Sequence, residues 1–194
     1  MTDDPAILKL PNETQIALRL AGARDQLTLV VDALRTHRPS LAESATCAVI
    51  DQALKTLTAA LHGFNLLLPQ PLPAERVTWR NLSARFVAVQ AESAVLDLVE
   101  EHLRPRVGWL WWLDRKEHAS AFAPLLRVDS ETGSVAIWRD PLDPTAGVEA
   151  GTPDEYLASV LDRIEELTRE IARLARKDVE TFRQAARRQP GRML

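Results

Sequence analysis

From Thr152 to Arg188 the chain contains no glycine and, after Pro153, no proline. No other feature restricts the fold as strongly. A helix over these residues would be about 54 Å long at about 1.5 Å rise per residue. Its start is marked by Thr152 as N-cap, Pro153 at the first helical position and Glu155 at the third. Leu157, Val160, Ile164, Leu167, Ile171 and Leu174 then recur in threes and fours, forming one apolar stripe. Leu161, Thr168 and Ala175 widen that stripe beyond a two-stranded zipper seam, which favours packing in a bundle over 156–175. After Leu174 the frame breaks, because Asp178 and Thr181 take the next two places. A shifted stripe of Ala175, Val179, Phe182 and Ala186 replaces it. Such a shift marks a change of packing partner. We expect Val179 and Phe182 to be buried against a second copy of the chain, or against loops 68–73 or 105–108 in a monomer.

Three further helices are expected. Asn12-Glu13-Thr14-Gln15 has the form of a capping box and opens a stripe of Ile16, Leu20, Ala23, Leu27, Val30 and Leu34. Ser40-Leu41-Ala42-Glu43 is a second such box, followed by Cys47, Ile50, Leu54, Leu57, Leu61, Phe64 and Leu68. The short link between them predicts an antiparallel hairpin. Prolines at 69, 71 and 73 make a stiff connector. A third stripe of Trp79, Leu82, Phe86, Val89, Ser93, Leu96, Val99 and Leu103 predicts one helix reaching Arg104. The last helix should overhang these by two or three turns.

Between 106 and 140 the apolar residues alternate in twos, which reads as strands. Gly108 to Asp114, "GWLWWLD", holds three of the five tryptophans. Alternation puts Trp109 and Trp111 on a face docked to the helices. Leu110 and Trp112 fall on the other face, with Leu125 and Trp138. Phe122–Asp129 and Ser134–Arg139 form the other two strands, joined by Ser130-Glu131-Thr132-Gly133 with Gly133 free to take positive φ. Pro124 needs a site where no ladder N–H is required. The expected fold class is α+β, mainly α: an antiparallel bundle of about four long helices with a three-stranded β-meander inserted before the last. As one domain this comprises a three-helix part (12–104), a β insertion (106–140), the long helix (152–188) and a flexible tail (189–194).

Chemical motifs are sparse. Phosphate-cradling glycine loops and the nucleophile-elbow pattern are absent from the sequence. His37, His62, His102 and His118 lie in neither H-E-x-x-H nor Glu-x-x-His. Cys47 falls on an apolar stripe, as a small buried hydrophobe does. Asp114 to His118 reads as a charged turn. Glu100 and Glu101 read as solvent-facing charge, and Asp140, Asp143, Glu149 and Asp154 as a solvated connector. No catalytic residue, cofactor or metal site is expected. The formal net charge of −3 gives no global pull toward nucleic acid. No apolar run is long enough to span a membrane. Arginine outnumbers lysine 20 to 4, a composition typical of GC-rich bacterial coding, and a cytoplasmic location is expected.

The leading functional expectation is a non-enzymatic interaction or adaptor protein. It would bind another protein or form a homodimer through Leu110, Trp112, Leu125, Trp138, Val179 and Phe182. The alternative is a nucleic-acid-associated regulator whose basic end, Arg183, Arg187, Arg188 and Arg192, contacts phosphates weakly. A third is an enzyme or ligand-binding protein whose site is assembled from distant positions.

Overall fold

The computed structural model describes residues 10–188. The expected tail and Arg192 lie outside the described residues. The chain is mainly helical, with one small two-stranded antiparallel sheet. Three long helices form the frame: α1 (Glu13–Arg35), α2 (Pro39–Leu67) and, last in the chain, α6 (Pro153–Arg188). α1 and α2 are an antiparallel hairpin, and α6 packs on both. α6 starts beside the α1–α2 turn, where Pro153 shares a cavity wall with Ala33, Leu34 and Pro39. It ends beside Leu67. One hydrophobic core runs the whole way, from Ala33 and Ala42 beside the α1–α2 turn to Leu10, Phe64 and Phe182 at the other end.

The start of α6 is as the sequence implies: Glu155 Oε2 accepts the Thr152 N–H at 2.9 Å. The other two boxes do different work. Asn12 precedes α1, but its side chain donates to the Ala59 carbonyl of α2 at 2.6 Å. Its Oδ1 occupies the space a Cβ at Gly63 would need, so that mid-helix glycine permits the close approach. α2 starts at Pro39, one residue before the expected Ser40 cap. Glu43 is thereby released to bond elsewhere.

The expected third helix is two helices, α3 (Trp79–Ala88) and α4 (Ala94–His102). Gln90 takes φ +56. Its N–H donates to Val87 O at 3.0 Å and the Ala91 N–H to Phe86 O at 2.9 Å, closing α3 as a Schellman motif. Ser93, read as a stripe position, is the N-cap of α4 and accepts the Leu96 N–H at 3.2 Å.

The expected first strand is a helix, α5 (Trp109–Ala119). Five consecutive apolar residues at 109–113 fit either period. The buried set Leu110, Leu113, Lys116 and Ala119 shows that the helical one prevails. Gly108 permits it, since a Cβ there would strike the His102 carbonyl at the end of α4. The sheet is therefore two strands, not three: β1 (Leu126–Val128) pairs with β2 (Val135–Ile137) in the register Leu126↔Ile137, Arg127↔Ala136, Val128↔Val135. The connecting loop is as expected, with Gly133 at φ +69. Pro124 precedes β1 and needs no ladder partner.

α6 does not overhang bare. Its frame shift coincides with a new packing partner inside the same chain. Phe182 meets Phe86 of α3 edge-on at 4.9 Å, and Phe86 stacks on Phe64 of α2 at 6.0 Å. Asp178, which interrupts the apolar stripe, is buried against the start of α4. Shorter α3 and α4 thus cover the end of the long helix that a second copy, or loops 68–73 or 105–108, was expected to cover.

Candidate functional site: a groove beside three charged anchors

The segment between α2 and α6 adds Leu82, Phe86, Val95, Val99, Leu110, Leu113 and Leu125 to the common core, and charged side chains pin it further. Asp178 Oδ2 accepts from Ser93 Oγ at 2.6 Å and from the Val95 N–H at 2.8 Å, while Oδ1 takes the Ala94 N–H at 3.2 Å. A side chain of α6 therefore serves as a remote cap for α4, with its negative charge at the positive end of that helix. Glu43 of α2 spans the start of β1, accepting the Leu125 N–H at 2.6 Å and the Leu126 N–H at 2.8 Å. Beside it, burial pushes the Cys47 thiol up to about 11, and the Glu43 charge adds to that. Cys47 is half-buried and is held in the unreactive thiol form.

The third anchor is Lys116 of α5, whose side chain is fully buried. Its Nζ donates to Glu149 Oε1 at 2.5 Å and to the Arg139 carbonyl at 2.9 Å, and lies 5.2 Å from the Tyr156 ring centroid. Burial lowers the Lys116 pKa, and the hydrogen bond and charge of Glu149 partly restore it. Tyr156 is pushed in the other direction, upward, by burial and then by Glu149. Next to this group Arg115 ion-pairs with buried Asp140, whose second oxygen accepts the Leu142 N–H at 3.0 Å. Residues 114–118 are thus the second half of a helix and not an exposed turn, and Asp140 and Glu149 are ligands of that helix and not a solvated connector.

These anchors leave a groove between α2, α3, α4 and α5. It measures about 990 Å³. Leu57, Leu61, Val77, Val99 and Leu110 form its buried floor, and half-buried Trp79 and Trp111 stand in its walls. Arg80 lies 5.6 Å from the Trp79 ring centroid and Arg115 lies 5.7 Å from that of Trp111. Asp97, Glu100, Glu101 and Asp114 face Arg80 and Arg104 around the rim, an excess of two negative charges. All six are solvent-exposed.

The clustered tryptophans consequently serve different surfaces. Trp111 lines the groove and packs edge-on against Trp112 at 4.5 Å. Trp109 leans on His102 at 5.7 Å and takes Arg163 of α6 over its ring at 5.9 Å. On a helix these positions point about 100° apart per residue, so the two-face division expected from a strand does not arise.

Of the residues expected to meet a partner, Leu110, Leu125, Val179 and Phe182 are buried in this chain's own core. Leu125 sits where β1 meets Glu43. Trp112 and Trp138 are half-buried and belong to different elements, so the six form no common surface. Arg183 and Arg187 are exposed on the last turns of α6 and share a small groove with Arg176; Arg188 is exposed nearby. Sequence reasoning missed Lys116, Glu43 and Asp178 as anchors. The one legible sign was Asp178, a carboxylate on an otherwise apolar stripe. Among the described residues, no three His, Cys, Asp or Glu side chains are grouped so as to hold a metal ion, and no helix is long and apolar enough to cross a membrane. No known family model, no curated protein and no solved structure matches the chain.

Proposed function

We propose that this is a non-enzymatic interaction protein that docks an amphipathic, positively charged segment of another protein in the groove between α2 and α5. The groove's pairing of an apolar floor with an acidic rim carries this reading. Aliphatic residues and two tryptophans at its centre supply the kind of anchor site on which interface energy concentrates. The rim's excess of two negative charges favours a basic occupant and sets its register.

What a catalytic reading would require lies elsewhere. Catalytic acids and bases are tuned by burial and neighbouring charge. The groove's charged side chains are exposed, whereas the buried ones, Lys116 and Asp178, are saturated by contacts that hold the chain together. Self-association through Val179 and Phe182 is not part of the proposal, because both are covered within the chain.

A displayed library of amphipathic helical peptides with varied charge tests the reading. Wild type should enrich peptides with an apolar stripe flanked by Lys or Arg. Trp111→Ala should weaken the selected peptides by about tenfold or more, equivalent to about 1.4 kcal/mol. Glu100→Lys with Glu101→Lys should shift enrichment toward acidic flanks. Selection of peptides with no charge bias, or binding indifferent to all these changes, sinks the proposal.

A further inference from the structure

The last turns of α6 hold arginines with no ion pair among the described residues. Nearer the middle of the helix the charges are paired. Glu165 pairs with Arg24 at 2.5 Å and with Arg169 at 3.1 Å, and Glu170 pairs with Arg173 at 2.7 Å. Beyond Arg173 the pattern changes. Arg176, Arg183 and Arg187 are exposed and line one groove of about 440 Å³ beside Leu67. None of the three ion-pairs with a described residue, although Glu180 lies one turn from both Arg176 and Arg183. A face built only for solubility would be expected to use such i,i+4 pairs, as Lys55 and Asp51 do at 2.7 Å.

We propose that this row binds the phosphate backbone of a nucleic acid, independently of the α2–α5 groove. The three arginines extend over about 16 Å of helix, the axial length of about five phosphates of one strand. Guanidinium groups match phosphate oxygens in a bidentate fork. An acidic protein is the poorer occupant, because the groove has no aromatic anchor and its apolar part is limited to Leu67 and buried Val179.

The test is fluorescence anisotropy of the full chain with a labelled duplex of about 20 base pairs and a labelled single strand of about 20 nucleotides, each longer than the row of contacts. Three contacts predict slopes of log K against log salt of about −2.7 and about −2.1. Between about 50 and about 200 mM salt the affinity should therefore fall about 40-fold and about 20-fold. Arg176→Gln, Arg183→Gln and Arg187→Gln together should weaken binding by about tenfold or more at the lower salt and flatten the slope. The control Arg35→Gln, Arg38→Gln and Lys55→Gln removes the same charge elsewhere and should bind as wild type does, with circular dichroism confirming that both variants fold. The proposal is overturned by no binding at the lower salt, by equal loss in the control, or by polyglutamate binding as tightly as the oligonucleotides.

Discussion

The frame of α1, α2 and α6 and the segment from Trp79 to Glu149 share one apolar core, but the segment depends in addition on charged side chains that pin its short elements. In the frame, residues such as Val30, Ile50, Ile164 and Ile171 are fully buried along continuous helical stripes. In the middle segment, helices of 9 to 11 residues and strands of 3 are too short to be stable alone. Besides their buried apolar residues, Asp178 and Glu43 pin α4 and β1 to the frame, and Lys116 ties α5 to Arg139 and Glu149, all between residues far apart in the chain. Burial of apolar area is tolerant of detail, while a buried charge is not. The groove lies on the seam between the two regions, so its shape depends on the less tolerant one.

The largest expected effect follows from that intolerance. Glu149→Gln leaves the Lys116 ammonium buried without its counter-charge and should cost about 3–5 kcal/mol in denaturant melts. Lys116→Met combined with Glu149→Gln removes the charge as well and should recover most of the loss. If the double variant is no more stable than the single one, charge burial is not what makes the site sensitive.

Glu43→Gln comes next. It weakens two charge-assisted bonds to β1 and should cost about 1.5–3 kcal/mol. Ile164→Val, a one-methylene change in the frame, should cost about 0.5–1.5 kcal/mol. The contrast between the regions breaks down if the frame change proves the more damaging of the two. Ser93→Ala removes one of the two side chains that cap α4, leaving Asp178, and should cost about 1 kcal/mol, or about 2–4 °C in Tm for a chain of this size.

The smallest effect at neutral pH is expected from Tyr156. Burial raises its folded pKa, so the unfolded chain loses the phenol proton first and stability falls as pH rises past about 10. Lys116 has the opposite sign: its folded pKa is lowered, so it adds stability as pH rises toward the ordinary lysine value. Above the ordinary lysine value of about 10.4 the Lys116 contribution no longer changes while the tyrosine still titrates, so net stability should decline there. Tyr156→Phe should melt like wild type near neutral pH and decline less at about pH 10–11. Superimposable profiles for the two proteins contradict the assignment.

The same division explains what can be read from the sequence. α1, α2 and α6 are legible because their stripes persist for six or more turns and α6 carries its own start signal. The α3–α4 break is not, since Gln90 adopts a left-handed conformation without glycine or proline to announce it. α5 reads as a strand because five adjacent apolar residues carry no period. Lys116 and Glu149 are 33 positions apart, and no local pattern predicts that a lysine and a loop glutamate will be buried together. The groove is hidden for the same reason, as its walls come from four helices separated in the chain. The basic end of α6 is visible in composition, but that its arginines form no ion pair among the described residues requires the geometry.

Native-state hydrogen exchange across a denaturant series tests most directly whether the two regions are held separately. Amides of α5 and the β1–β2 hairpin should share one opening reaction, of lower free energy than the global unfolding through which the buried centres of α2 and α6 exchange. Convergence of all these amides on a single global isotherm would contradict the account, because the frame and the middle segment would then be one cooperative unit.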